Sequence, residues 1–90
     1  AAWRMLGDAY MGLGKKEQGA GYYEKAGKLN EKDEATSSEN LFRAALAYET
    51  LGNTEKAASL LKIVKEKYPK SERGFVVDRY LARLGVVDNN

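Results

Sequence analysis

Apolar side chains recur every three or four positions along almost the whole chain. The sets are Trp3, Leu6, Tyr10 and Leu13; Ala20, Tyr23, Ala26 and Leu29; and Leu41, Ala44, Ala45, Tyr48 and Leu51. Two more follow: Ala57, Leu60, Leu61, Val64 and Tyr68, then Phe75, Val76, Tyr80, Leu81 and Leu84. Steps of three and four place each set on one face of a helix. The pattern predicts five helices, near residues 1–13, 16–29, 36–51, 54–68 and 71–84. The valine pairs 76–77 and 86–87 are too short to oppose that period as strands.

Punctuation agrees with the period. Gly14, Gly52 and Gly85 each follow a leucine at the expected end of a helix, where a glycine readily takes the left-handed turn. Pro69, the only proline, forbids continuation of the fourth helix. Thr36 and Glu39 are spaced as a capping box at the start of the third helix, and Ser71 is placed to cap the fifth. The second helix carries Gly19, Gly21 and Gly27, each costing about 0.5–1 kcal/mol relative to alanine. That helix must draw its stability from packing. Residues 30–40 form a polar, acidic connection. Trp3, Tyr10, Tyr23 and Tyr48 are expected in the core. Tyr22, beside Tyr23, must point elsewhere, to solvent or to a neighbouring repeat.

The pattern repeats. Leu13-Gly14 and Leu51-Gly52 lie 38 residues apart, each preceded by a tyrosine four positions before the glycine, Tyr10 and Tyr48. Downstream, Gly19 aligns with Ala57, Tyr23 with Leu61 and Ala26 with Val64. Each unit is a helix, a tight turn and a second helix, and fixed-period similarity of this kind marks a stacked repeat. Trp3, Leu6-Gly7, Tyr10, Gly19, Tyr23 and Ala26 in the first unit resemble the signature of the tetratricopeptide repeat family. Leu41, Ala44-Ala45, Tyr48, Ala57, Leu61, Val64 and Pro69 in the second follow it more loosely. Small residues at Gly7, Gly19, Ala45 and Ala57 let paired helices approach, while the large ones fill the layer between repeats. The resemblance implies an all-α, right-handed superhelical fragment spanning 1–90. Repeat one would occupy 1–34, repeat two 38–71, and a capping helix 71–84. The family's usual period is 34, so four extra residues are expected within 30–40, as a longer loop or an earlier helix start. Tyr68-Pro69-Lys70-Ser71-Glu72 before the cap is also similar to tetratricopeptide proteins of the bacterial cell envelope, anchored or exported.

Composition narrows the chemistry. Ninety residues make one small domain, and 15 basic against 13 acidic side chains leave a net charge of +2. The chain has no cysteine and no histidine, which removes disulfides, thiolate nucleophiles, zinc-finger ligands and histidine acid/base pairs. No apolar run is long enough to span a membrane. Gly12-Leu13-Gly14-Lys15-Lys16 has no preceding strand and no hydroxyl residue after its lysines, so it reads as a helix–helix turn, not a phosphate loop. Glu31, Asp33 and Glu34 lack the alternating oxygen ligands and central glycine of a calcium loop. Lys62, Lys65, Lys67, Lys70 and Arg73 have only Tyr68 among them, too little for base stacking, and read as a solvated face. No catalytic, cofactor-binding or metal-ligating residue is expected, and neither is nucleic-acid binding.

The family resemblance implies protein or peptide recognition on the concave face. By position, the groove would be formed by Arg4, Asp8 and Met11 of the first helix and by Phe42, Arg43, Leu46 and Glu49 of the third. Met5 and Gly12 of the first helix and Thr50 of the third would face it too, with Arg79 and Arg83 contributed by the fifth. Methionine and arginine there suit adaptable recognition of an apolar, acidic peptide. The Lys/Asn clamp with which chaperone-binding members hold a C-terminal carboxylate is not matched: Asp8 would repel that group, and Leu46 replaces a polar one. The chain opens inside an amphipathic pattern without an initiator methionine and is expected to be a piece of a longer protein. Trp3 and Tyr22 near its first helices predict either a longer array or a homodimer through that face, and self-association is the alternative function.

Overall fold

The computed structural model describes residues 2–29 and 32–86. The helices are α1 (Ala2–Gly12), α2 (Lys16–Leu29), α3 (Glu34–Thr50), α4 (Thr54–Lys67) and α5 (Val77–Arg83), with no strand among the described residues. Consecutive helices pack on one another. The 38-residue offset carries the last residue of α1 onto that of α3, and both ends of α2 onto those of α4. The fold is an all-α helical repeat.

Three helices end alike. Gly14, Gly52 and Gly85 have φ of 80°, 84° and 82°. The following N–H reaches back five residues, Lys15 to the Tyr10 carbonyl, Asn53 to Tyr48 and Val86 to Leu81, at 2.9–3.0 Å. These bonds satisfy carbonyls that a helix end leaves open. A side chain at any of the three glycines would be strained, which is why leucine–glycine recurs.

Helix starts differ from expectation in two places. The cap of α3 is Asp33, whose carboxylate accepts the Thr36 N–H at 3.2 Å. Thr36 is therefore inside the helix and the expected capping box is displaced. Aspartate is the stronger cap and Glu34 adds favourable charge at the positive helix end. The earlier start makes α3 17 residues long, so the extra residues expected within 30–40 fall largely in helix. It also turns Ser37 and Ser38 inward, where both are buried. The fifth helix begins at Val77, six residues later than expected. Ser71 does not cap it: its hydroxyl donates to the Tyr68 carbonyl at 2.7 Å and accepts the Gly74 N–H at 3.0 Å. Those local bonds hold residues 71–76 in turns, competing with helix, and leave Phe75 76% exposed.

The core lies among α2 to α5. Leu41, Phe42, Ala44 and Ala45 of α3 meet Ala57, Leu60, Leu61 and Val64 of α4, with Tyr23, Tyr68, Val77 and Leu81 around them. From α1 only Gly7 is buried, because the Tyr23 ring lies where its Cβ would be. The expected aromatic core reduces to Tyr23. Tyr48 packs against the core edge. Trp3 and Tyr10 are half-buried outside it, stacked on either side of Tyr22 at 5.7 and 5.2 Å. The glycines of α2 divide by what surrounds them. A Cβ at Gly27 would strike Leu41, but one at Gly21 meets nothing within 4 Å. Gly21→Ala is expected to raise stability by about 0.5–1 kcal/mol, read as a higher urea midpoint at unchanged slope.

Candidate functional site

Helices α1 and α3 form one face of the molecule. Met11, Tyr23, Arg43, Leu46, Ala47 and Thr50 line a hollow there of about 210 Å³. Helical spacing accounts for the set, since Arg43, Leu46, Ala47 and Thr50 lie at steps of three and four on α3. Met11 closes the hollow from α1, resting where Gly19 of α2 has no side chain.

A ladder of polar groups of alternating charge runs across the same face. The Tyr23 hydroxyl donates to Asp8 Oδ1. Burial and the Asp8 carboxylate together push the Tyr23 hydroxyl above the usual tyrosine value, and the nearby Arg43 guanidinium pulls the other way. Arg43 Nε lies 3.0 Å from Glu39 Oε2. Glu39 also receives both Nε and an Nη of Arg73, at 2.7 and 3.2 Å. These bonds outweigh burial and hold the Glu39 carboxyl below the usual carboxylate value. One rung further, Arg83 pairs with Glu49 and lies over the Tyr80 ring. Both pairs join residues 34 apart.

This places the groove residues expected from the sequence. Met11, Arg43 and Leu46 meet around the hollow. Asp8 reaches its edge through Tyr23. Arg4 on α1 is half-buried, and its charge acts on Glu39. Glu49 lies on the same helix but is engaged by Arg83. Phe42 is not a surface residue: it is 1% exposed, meeting the Tyr80 ring edge-on at 4.7 Å with the Arg73 guanidinium 4.3 Å above it. The fifth-helix segment covers it, and no local pattern in the sequence announced that cover. Met5 is 71% exposed. Arg73 was grouped with the basic run of α4, yet it belongs to the α3 ladder, and Lys65 of that run pairs with Asp78 at 2.8 Å. Ala47 and Tyr23, which also line the hollow, were not singled out on this face from the sequence. The signal available was the stripe Arg43, Ala47, Thr50 on one helix face.

Two family models, each described as tetratricopeptide repeat, match residues 1–33 and 39–71. The chain belongs to the tetratricopeptide repeat family. Repeats of this family generally mediate protein–protein interaction and are non-enzymatic scaffolds. No curated protein and no solved structure matched the chain. Among the described residues, no helix is long and apolar enough to cross a membrane.

One carboxylate also bridges the two tetratricopeptide pairs. Glu24 of α2 accepts the Tyr48 hydroxyl at 3.1 Å and pairs with Lys56 at 3.0 Å and Lys28 at 2.8 Å. Burial pushes the Glu24 carboxyl up, but the bonds from Lys28 and Lys56 prevail and hold it below its usual 4.5. Burial, then the Glu24 charge and hydrogen bond, push the Tyr48 hydroxyl up to about 12. The lowered Glu24 value stabilises the fold fully above pH 4.5, and that contribution is lost as the pH falls through the lowered value. The urea midpoint of the parent should therefore exceed that of Glu24→Gln at pH 6, with the gap closing toward pH 3. The raised Tyr48 value acts at the other end, its contribution fading as the pH climbs from 10 toward 12. By contrast, Asp8→Asn keeps an acceptor for Tyr23 and should change stability by less than about 1 kcal/mol.

Proposed function

We propose that the α1–α3 face is a peptide-recognition groove and that the chain acts as a protein-binding module through Arg4, Asp8, Met11, Arg43 and Leu46. The observation that carries this reading is the open hollow that Met11, Leu46 and Ala47 line together with Tyr23, Arg43 and Thr50. Arg43, Arg73 and Arg83 are each already paired with a carboxylate. A purely acidic ligand would have to displace those partners. The groove instead favours an apolar anchor in the hollow, with the polar ladder fixing register, because compensated charges contribute more to selection than to affinity. The flexible thioether of Met11 adapts to anchors of different shape.

The test is selection of peptides from a random display library on the 90-residue chain, followed by binding to variants. Enriched peptides should share an apolar anchor. They should weaken at least tenfold with Leu46→Ala or Arg43→Ala, both checked for native helicity, and be unaffected by Lys62→Ala on the exposed side of α4. Peptides that bind the two groove variants as well as the parent would overturn the reading.

A further inference from the structure

The chain has five arginines, and their partners divide them. Arg43 and Arg73 share Glu39, and Arg83 holds Glu49. Arg4 and Arg79 make no ion pair among the described residues. Their settings differ. Arg79 is exposed on α5. Arg4 is half-buried on α1, close enough to Glu39 for its charge to act on that carboxyl beside those of Arg73 and Arg43. A guanidinium partly withdrawn from water gains more from a new anion than an exposed one does.

Arg4 also has a fixed relation to the hollow. Arg4, Asp8 and Met11 follow at steps of four and three, and so share one face of α1. Met11 lines the hollow, and seven residues of helix set Arg4 about 10 Å from it along the axis. An extended peptide covers that distance in about three residues. Asp8 lies between them, exposed and accepting the Tyr23 hydroxyl. At this end of the face Arg4, Arg43 and Arg73 stand against Asp8 and Glu39, which leaves one positive charge in excess. Arg83 and Glu49 cancel at the other end. A single excess charge suits a carboxylate, not the near-dianion of a phosphate ester.

Resting on the groove reading above, we propose that Arg4 is a specificity-determining anion site. The occupant of the groove is an extended peptide with an apolar residue in the hollow and one aspartate or glutamate about three positions away, over Arg4. Asp8 enforces the spacing, because it repels a carboxylate placed directly beside the anchor. The pairs of Glu39 and Glu49 stay in place, since the ligand uses the one arginine of the ladder that they leave over.

The probe is a displayed peptide library with a fixed leucine between randomised flanks, screened on the intact 90-residue chain and on Arg4→Gln. Acidic residues should be enriched about two to four positions from the leucine on the parent, and not on the variant. Enriched peptides, amidated at the C-terminus, are then titrated with Glu or Gln at the acidic position. The Gln peptide should bind the parent about five- to tenfold more weakly. On Arg4→Gln the two should differ by less than about twofold, the coupling being lost with the guanidinium. Glutamine is a good helix former and Arg4 leaves no ion-pair partner stranded, so helicity should be retained. Arg79→Gln should keep the full difference between the peptides. An equal difference on the parent and Arg4→Gln would overturn the anion site. So would coupling to Arg79 in place of Arg4, or a phosphoserine peptide held more tightly than the Glu peptide. Leu46→Ala separates this failure from that of the groove. Binding that survives Leu46→Ala, or no enrichment on the parent, refutes the groove and the role of Arg4 together. Binding lost in Leu46→Ala but uncoupled from Arg4 refutes the anion site alone.

Discussion

Phe42→Ala should cost about 3–5 kcal/mol, the usual range for emptying a buried phenylalanine site. The ring is buried between three elements and is the edge-on partner of Tyr80 and the platform for Arg73. Removing it opens a cavity on α3 and removes the surface on which the fifth-helix segment rests. The rest of that segment is held by Val77 and Leu81 in the core, but α5 is only seven residues long and has no side-chain cap. Domains of this size are stable by roughly 0.05–0.15 kcal/mol per residue, so the loss is a large part of the total. Thermal unfolding should fall by tens of degrees. Phe42→Leu should recover part of this, because it restores volume but not the ring contacts. An unchanged melting temperature in Phe42→Ala would mean that α5 is not seated on this ring.

Gly74→Ala should be the most damaging single-methyl addition in the chain. A Cβ there would lie 2.1 Å from the Tyr68 carbonyl oxygen and 2.8 Å from the Pro69 carbonyl. Both obstacles are backbone, so neither can rotate aside as Met11 could for a Cβ at Gly19. Overpacking of this kind costs about 1–3 kcal/mol or more, and the turn that carries Arg73 to Glu39 must move to relieve it. The urea midpoint should drop, and hydrogen exchange should quicken in α5 before α3. Gly21→Ala, with open space around it, is the matched control and should move the midpoint the other way.

The contrast between those glycines shows what was legible in the sequence. Helix number and the helix ends marked by Leu13-Gly14, Leu51-Gly52 and Leu84-Gly85 were readable, because period and left-handed glycine are local properties. The repeat was readable for the same reason. The start of α3 was misplaced because Asp33 and Thr36 both offer a cap, and the choice depends on what the extra helical turn buries. The start of α5 was misplaced because Ser71 satisfies the Gly74 N–H inside a turn and not at a helix start, a distinction set by the close approach of Gly74 to Tyr68. On the α1–α3 face, the meeting of Met11, Arg43 and Leu46 around one hollow followed from position in the repeat. Phe42 did not, because its cover comes from Tyr80 and Arg73, more than thirty residues away. The pairing of Glu39 with Arg73 was hidden for the same reason, although it decides how much free charge the face offers.

The role proposed for this tetratricopeptide chain is recognition of protein through its α1–α3 face. Amide chemical-shift mapping of the ¹⁵N-labelled chain with a display-selected peptide tests it most directly. Perturbations concentrated at Arg4, Asp8, Met11, Arg43, Leu46 and Thr50 are the predicted result. Perturbations confined to the outer side of α4, around Lys62 and Glu66, or to the Trp3–Tyr22 face, with the α1–α3 amides unmoved, would contradict it.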